Sequence, residues 1–123
     1  MSDPVISESE AVFSRVASYF GVLSEPLRLK IINTVCRGEK TVREIVEIVG
    51  SSQANVSKHL QILTQAGVID RRKEGTSVIY SMADKSVFDL CRTVCNRIAS
   101  NLKGHAALHQ GLAELADEDS WMI

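Results

Sequence analysis

Residues 51–67, SSQANVSKHLQILTQAG, are the stretch of this 123-residue chain that decides the fold. Val56, Leu60 and Leu63 recur at i, i+4 and i+7, so the pattern predicts an amphipathic helix with one buried stripe. The two serines at its start supply the expected N-cap. The first half of the helix also holds more short hydrogen-bonding side chains than capping requires, which indicates a surface that meets a polar partner.

A shorter helix is predicted immediately before this stretch. Thr41-Val42-Arg43-Glu44 has the spacing of a capping box, in which the Thr hydroxyl and the Glu carboxylate each bond to a backbone N–H. The helix that begins there ends at Val49, and Gly50 follows it. Two short helices joined by a tight turn with a glycine predict a helix-turn-helix, whose second helix can enter the major groove of DNA.

Two further helices are expected before this motif. Residues 9–23 carry apolar side chains at helical spacing. Ser24 is the predicted N-cap of the next helix, with Pro26 in its first turn and its end near Arg37.

A β-hairpin and a last helix are expected after the motif. Residues 68–73 and 77–82 are rich in β-branched side chains and are separated by Glu74-Gly75-Thr76, which predicts a hairpin with a basic first strand. Asp84 or Ser86 then caps a long helix that ends near residue 102. Its apolar side consists of Val87, Leu90, Cys91, Val94, Cys95 and Ile98.

The predicted fold is therefore mainly α with a small β-hairpin wing (α+β), a winged helix-turn-helix of order ααααββα. We expect a flexible acidic N-terminus over residues 1–8 and a DNA-binding and dimerisation domain over 9–103. Residues 104–123 are predicted to be a C-terminal extension, partly helical or disordered.

The charge distribution is compatible with a nucleic-acid partner although the net charge is −1. All 14 Lys and Arg lie within residues 15–103, where 8 acidic residues occur, so this body carries 14 − 8 = +6. Local potential rather than net charge governs phosphate binding. No apolar run is long enough for a membrane span, and the polar N-terminus is not a secretory signal, so the expected location is cytoplasmic, without a membrane partner.

The candidate DNA contacts lie on the polar part of the 51–67 helix and on the first strand of the hairpin. Gln and Asn can pair bidentately with adenine edges, while Ser and Lys suit phosphates or guanine. The alternative is a solvated helix whose polar residues only cap it. The candidates are Ser52, Gln53, Asn55, Ser57, Lys58, His59 and Gln61 in the helix and Arg71, Arg72 and Lys73 in the hairpin.

Two stretches resemble the arsenic-repressor (ArsR/SmtB) family of bacterial winged helix-turn-helix repressors. They are SEPLRLKIINTVCRGEKTVREI (24–45) and SSQANVSKHLQILTQAGVIDRRKEGTSVIYSM (51–82), within a resemblance that covers about residues 15–103. It implies a homodimer joined by the first and last long helices. Such a dimer binds a palindromic double-stranded operator and releases it when an inducer binds.

The metal sites of that family are not intact in this sequence. The resemblance would place a Cys-x-Cys motif on the third helix, but residues 42–45 contain no cysteine. Only Asp84 remains of the ligand set that other members carry on the last helix. Asn33 stands where sulfide-responsive members carry the first of two thiols. The inducer therefore does not follow from the resemblance.

The three cysteines are the candidate inducer site. Cys91 and Cys95 are four residues apart on one helical face, a geometry that suits two ligands of one soft ion better than a disulfide. Cys36 could supply a third sulfur, from the same or the partner subunit. Three thiolates suit an arsenite-like ion, and four cysteines gathered across a dimer suit zinc or an iron–sulfur cluster. Sulfide or persulfide and oxidants are further candidate inducers.

Other interpretations of these residues remain open. Buried cysteines can simply pack, leaving a regulator that senses another metal or no ligand. His105 and His109 are a weaker candidate metal pair. A thiol enzyme with Cys91 or Cys95 as nucleophile lacks a recognisable oxyanion or phosphate-binding motif, so the sequence predicts a protein that is not an enzyme. A protein-interaction module that does not bind DNA is disfavoured by the polar helix and the basic hairpin.

Overall fold

The structure, a computed structural model, describes residues 4–101 and confirms the predicted winged helix-turn-helix. Within this part of the chain no helix is long and apolar enough to cross a membrane. The elements in chain order are α1 (Pro4–Val22), α2 (Pro26–Cys36), β1 (Lys40–Thr41), α3 (Val42–Val49), α4 (Gln53–Gln65), β2 (Ile69–Glu74), β3 (Ser77–Met82) and α5 (Ser86–Asn101).

The helix-turn-helix forms by the local signals that the sequence contains. The capping box at the start of α3 is present: the Thr41 N–H donates to Glu44 Oε1 (3.0 Å), and the Glu44 N–H donates to Thr41 Oγ1 (3.2 Å). The α3 helix ends at Gly50 in the left-handed conformation (φ +71°), which glycine adopts without steric cost. Ser52 is the N-cap of α4 and accepts from the Asn55 N–H. Capping at both ends fixes the short turn between the two helices.

The first two helices differ from the prediction at their ends. The α1 helix begins at Pro4, before the predicted start at residue 9. Ser24 is not the N-cap of α2: that position is Glu25, which makes no side-chain capping bond. The Ser24 hydroxyl instead donates to the Gly21 carbonyl (2.7 Å), because the last carbonyls of α1 have no partner within their own helix.

The hairpin belongs to a three-stranded antiparallel sheet of order β1-β3-β2. The β2 and β3 strands pair from Ile69↔Met82 to Glu74↔Ser77, and Gly75 (φ +63°) begins the two-residue turn between them. The short strand β1, which is not predicted from the sequence, pairs with β3 through Lys40↔Tyr80 and Thr41↔Ile79. The β1 strand therefore joins the wing to the start of α3.

The core fixes which side of α4 faces inward. The predicted stripe of Val56, Leu60 and Leu63 is fully buried. It packs in one cluster with Ile31 and Ile32 of α2, together with residues of α3 and the hairpin. Because burying each such side chain stabilises the fold by about 1.5–3 kcal/mol, this contact determines the rotation of α4 about its axis.

The α1 and α5 helices leave large apolar side chains in solvent. On α5, Val87, Cys91 and Cys95 are buried, whereas Val94 and Ile98 are each 48% exposed. The predicted apolar side of α5 is thus two adjoining faces, one turned to the core of its own protomer and one turned outward. On α1 the exposed apolar residues are Val12, Phe13, Val16 and Phe20.

Candidate nucleic-acid interface and thiol cluster

The side of α4 opposite the buried stripe is polar and exposed. Six of the seven predicted DNA contacts of this helix are exposed and lie on the side of α4 away from the core. They are Ser52, Gln53, Asn55, Ser57, Lys58 and Gln61.

Two of these side chains are engaged at the start of the helix. The Ser52 hydroxyl accepts the N–H of Asn55, and the Asn55 amide Nδ2 donates to Ser51 Oγ (3.0 Å). Their hydrogen bonds stabilise the first turn, as expected of an N-terminal capping arrangement. Gln53, Ser57, Lys58 and Gln61 form the remaining exposed set.

Two further residues of the outward side are not among the predicted DNA contacts. Ala54 and Gln65 are exposed, and with Lys58 and Gln61 they follow the spacing i, i+4, i+7, i+11. This spacing was available in the sequence. Ala54 is apolar, so its side chain gives no hydrogen-bonding signal, but an alanine can contact a thymine methyl group.

The structure corrects the placement of His59. Its side chain is buried, not free for bases or phosphates. The Arg28 guanidinium approaches it from α2, with Nη1 3.2 Å from His59 Nδ1. Desolvation by burial, and then the positive charge of Arg28, hold the pKa of His59 below its ordinary value.

The wing separates its basic residues onto two faces. Side chains alternate along β2, and residues paired across strands share a face. Arg71 lies opposite Tyr80 and Lys73 opposite Val78, whereas Arg72 lies opposite Ile79. Arg71 and Lys73 thus share one face, and Arg72 occupies the other.

Arg72 is paired with carboxylates on its face. Its guanidinium forms salt bridges with Glu39 and with Glu74, the latter at 3.2 Å. The hydrogen bonds to these two carboxylates raise the pKa of Arg72. The charge of Arg72 is therefore partly compensated within the protein. The sequence predicts Arg71, Arg72 and Lys73 as equivalent DNA contacts.

The three predicted sensing thiols belong to one region of the molecule. Cys91 and Cys95 are buried, and the half-buried Cys36, at the end of α2, packs against the same core cluster. We call Cys36, Cys91 and Cys95 the thiol cluster. Burial raises the pKa of Cys36 and of Cys91 to about 11 each, and negative charge on Cys91 adds to the rise at Cys36. Burial also raises the pKa of Cys95.

A surface cleft leads to one member of the thiol cluster. It has a volume of about 350 Å³ and lies where the end of α2 meets the start of α5. Met82 and Phe88 provide apolar walls, and Lys85 and Asp89 provide charges. Cys36 also lines the cleft, so a small solute can reach this thiol before the buried pair on α5.

The residues that the structure describes contain no preformed metal site, and the thiol cluster is no exception. Within residues 4–101 no three His, Cys, Asp or Glu side chains converge as a ready metal site. The inward direction of Cys91 and Cys95 does not support a zinc or iron–sulfur site assembled between two α5 helices. The predicted pair His105 and His109 lies outside the described residues, as does the 104–123 extension.

Comparison with known sequences identifies a family match over the DNA-binding region. The sequence model described as "Bacterial regulatory protein, arsR family" matches residues 25–71. The "HTH-type transcriptional regulator NmtR" of Mycobacterium tuberculosis is 33% identical over 89 residues, which are 72% of each chain. The "Probable mercury resistance operon repressor" of Streptomyces lividans is 42% identical over 74 residues, 60% of this chain but only 59% of that repressor.

Comparison with solved structures supports the winged helix-turn-helix fold and the homodimer expected from the sequence. The homodimeric winged helix-turn-helix DNA-binding domain of a Mycobacterium bovis protein superposes with a TM-score of 0.67 at 27% identity. The match covers 83% of this chain and 89% of that one.

Proposed function

This chain belongs to the arsR family of bacterial regulatory proteins, and on that premise we propose that it is a homodimeric repressor that releases operator DNA when a soft metal or metalloid ion binds its cysteines. Its family and fold are those of DNA-binding transcriptional regulators.

The polar, exposed side of α4 is the single observation that carries the DNA-binding proposal. A helix held by a fully buried stripe presents Lys58, Gln61 and the residues around them as a rigid surface. Side chains on such a helix can reach base edges in the major groove. Arg71 and Lys73 of the wing would contact phosphates beside the groove.

The exposed apolar residues of α1 and α5 support a homodimer through these helices. Large apolar side chains clustered in solvent mark an interaction surface. The Mycobacterium bovis relative is homodimeric, and a two-fold dimer sets two recognition helices against a palindromic operator. The half-sites would lie about 34–36 Å apart, one turn of DNA.

The chemistry of the thiol cluster favours a soft ion over an oxidant or persulfide as inducer. Oxidation and sulfur transfer begin with a thiolate, and the raised pKa values keep these thiols protonated at neutral pH. A soft cation instead binds sulfur strongly enough to displace the proton. The relative from Streptomyces is named for mercury resistance, which agrees with such an ion. Arsenite and zinc are the other ions to test.

Binding of an ion between Cys36 and Cys91 would join the end of α2 to α5. The α5 helix carries the proposed dimer face, so a change in its packing would alter the distance between the two recognition helices. To lower operator occupancy from 99% to 1%, the ion must favour the released form by about 5.5 kcal/mol. Since the binding of mercuric or zinc ion releases thiol protons, operator release by these ions should need less ion as the pH rises toward the raised thiol pKa values.

The test is operator release by mercuric ion, arsenite or zinc, titrated against wild type and cysteine variants. A duplex enriched from a random library by the wild-type protein serves as the operator. Cys91→Ser should bind this duplex and ignore the ion, and Cys36→Ser should be equally insensitive if it is the first ligand. Cys95→Ser is the matched control, because it also replaces a buried thiol on the same face of α5. It should lose less of the response to the ion than Cys91→Ser does.

The competing function is a regulator whose cysteines only pack. The burial of Cys91 and Cys95 in the core favours it. If the Cys36→Ser, Cys91→Ser double variant releases DNA as wild type does, the cysteines pack and the sensor lies elsewhere, with His105 and His109 next to be tested. A thiol enzyme is disfavoured because its nucleophile would need a lowered pKa, opposite to the direction found.

A further inference from the structure

The side chain of Arg28 connects three helices. From α2, its Nε donates to the Val22 carbonyl (2.6 Å), and Nη2 makes a longer contact with the Gly21 carbonyl (3.4 Å). Its Nη1 meets His59 Nδ1 at 3.2 Å. We call this set of contacts the Arg28 bridge. It links the end of α1 to the inward side of α4.

Each end of the bridge has a definite physical role. At α1, a guanidinium satisfies carbonyls that lack partners in the helix and complements the negative end of the helix dipole. At α4, His59 occupies the turn between Val56 and Leu60, both fully buried. Because these neighbours are fixed in the core, a displacement of His59 would displace the whole of α4, the proposed recognition helix.

The protonation state of His59 follows from the chemistry of its partner. A guanidinium has only donors, so Nδ1 must offer its lone pair and the imidazole is neutral. A proton on Nδ1 would place two donors and two positive charges against each other. Glu25, at the N-cap of α2, and Lys58 on α4 are the other charged groups that act on His59: Glu25 raises its pKa and Lys58 lowers it. No charged group of α3 or β2 within residues 8–101 contributes to its pKa shift.

We propose that Arg28 is a positioning residue for operator recognition, which holds the recognition helix α4 against the end of α1 through neutral His59 and lets go when His59 is protonated. The inference rests on the proposed DNA-binding function. If the proposal holds, the affinity for operator depends strongly on the Arg28 bridge, and the affinity for random DNA depends on it far less.

The sign of the pH dependence separates this proposal from direct DNA contact by His59. A histidine that touched phosphate would strengthen binding when it gained a proton. With the bridge, specific affinity is full above the ordinary histidine pKa of 6.5. As the pH falls through the lowered pKa of His59, specific affinity decreases by up to about tenfold per pH unit, because one proton is linked to release.

The experiment measures binding of wild type and variants to the library-selected duplex and to a random duplex from pH 7.5 down to 5.0. His59→Asn places an amide oxygen near the position of Nδ1, so it should bind operator well at pH 7.5 and lose the acid decrease. His59→Leu and Arg28→Met should lower specific affinity about tenfold at pH 7.5 and change random-DNA binding little. Arg28→Lys, which keeps one donor, should recover part of the loss.

Circular dichroism at each pH verifies that the helices remain folded. If Arg28→Met or His59→Leu unfolds, the comparison is made with the conservative variants Arg28→Lys and His59→Asn instead. If the specific affinity of His59→Asn falls on acidification as that of wild type does, the proposal is overturned. It is also overturned if the wild-type affinity rises on acidification and His59→Asn shows no such rise. Equal losses on both duplexes in Arg28→Met overturn it too. Failure to enrich any duplex would instead count against the proposed function, so the two failures are distinguishable.

Discussion

Helices α4 and α5 are both amphipathic, but they differ in what lies on the side turned away from the core. On α4 that side is polar, with Lys58 and Gln61 near its centre. On α5 it includes Val94 and Ile98, each half exposed. The outer side of α4 is stable in water and suits a polar ligand such as DNA. The outer side of α5 is stabilised when a second apolar surface covers it.

The largest expected effect comes from placing charge on the outer side of α5. The Val94→Asp, Ile98→Asp double variant should be monomeric and should lose operator affinity by at least about 100-fold, because two linked half-site contacts become one. Sedimentation velocity and fluorescence anisotropy measure the two effects. Ile48 on α3 is 58% exposed, so Ile48→Asp is a matched control for oligomeric state. A variant that stays dimeric would place the interface elsewhere.

The thiol cluster, which joins the inner side of α5 to Cys36 at the end of α2, should react slowly although it consists of thiols. A pKa of about 11, against an ordinary 9.0, lowers the thiolate fraction at neutral pH about 100-fold. Alkylation of Cys36 by iodoacetamide should therefore be about that much slower than for a free thiol. Its rate should keep rising up to pH 11, where a free thiol has already levelled off. Mass spectrometry of timed samples follows the reaction, and fast alkylation at pH 7 would contradict the burial argument.

A smaller effect tests the polar side of α4. Gln53→Ala should weaken binding to the selected duplex by about 1–3 kcal/mol if Gln53 makes a bidentate base contact, with little change on random DNA. Gln65→Ala, in the last turn of the same helix, is the control and should have a smaller effect, because residues near the N-terminus of a recognition helix contact the bases. Equal losses on the two duplexes would show that Gln53 does not distinguish bases.

The smallest effect concerns the two faces of the wing. Lys73→Ala should flatten the dependence of log affinity on log salt by about one unit, the loss of one phosphate contact. Arg72→Ala should leave this slope unchanged, because Glu39 and Glu74 already pair with its guanidinium. Anisotropy titrations over a range of salt concentrations give both slopes. A flatter slope for Arg72→Ala would return Arg72 to the set of phosphate contacts.

Much of the fold was predictable because its signals are local. The stripe of Val56, Leu60 and Leu63 and the capping box at Thr41 each depend on residues within two turns of one another. The β1 strand was not predictable in this way: it is two residues long, and Lys40 pairs with the distant Tyr80. A contact between remote segments leaves no periodicity in either one.

The site was predicted less completely for the same reason. His59 has the polar character of its neighbours, and its partner Arg28 is 31 residues away. Periodicity placed Cys91, Val94, Cys95 and Ile98 on one apolar side but could not divide that side between the core and a partner surface. The separation of Arg72 from Arg71 and Lys73, by contrast, follows from strand alternation and was present in the sequence.

The position of β2 at the edge of its sheet has a consequence for solubility. The β3 strand lies between β1 and β2, so one side of β2 has no strand beside it within residues 4–101. Such an edge is a template on which another chain can extend the sheet. After Ile69, however, β2 reads Asp-Arg-Arg-Lys-Glu, all exposed. These five charges discourage edge-to-edge pairing, so the strand that holds the proposed phosphate contacts Arg71 and Lys73 is also protected from aggregation.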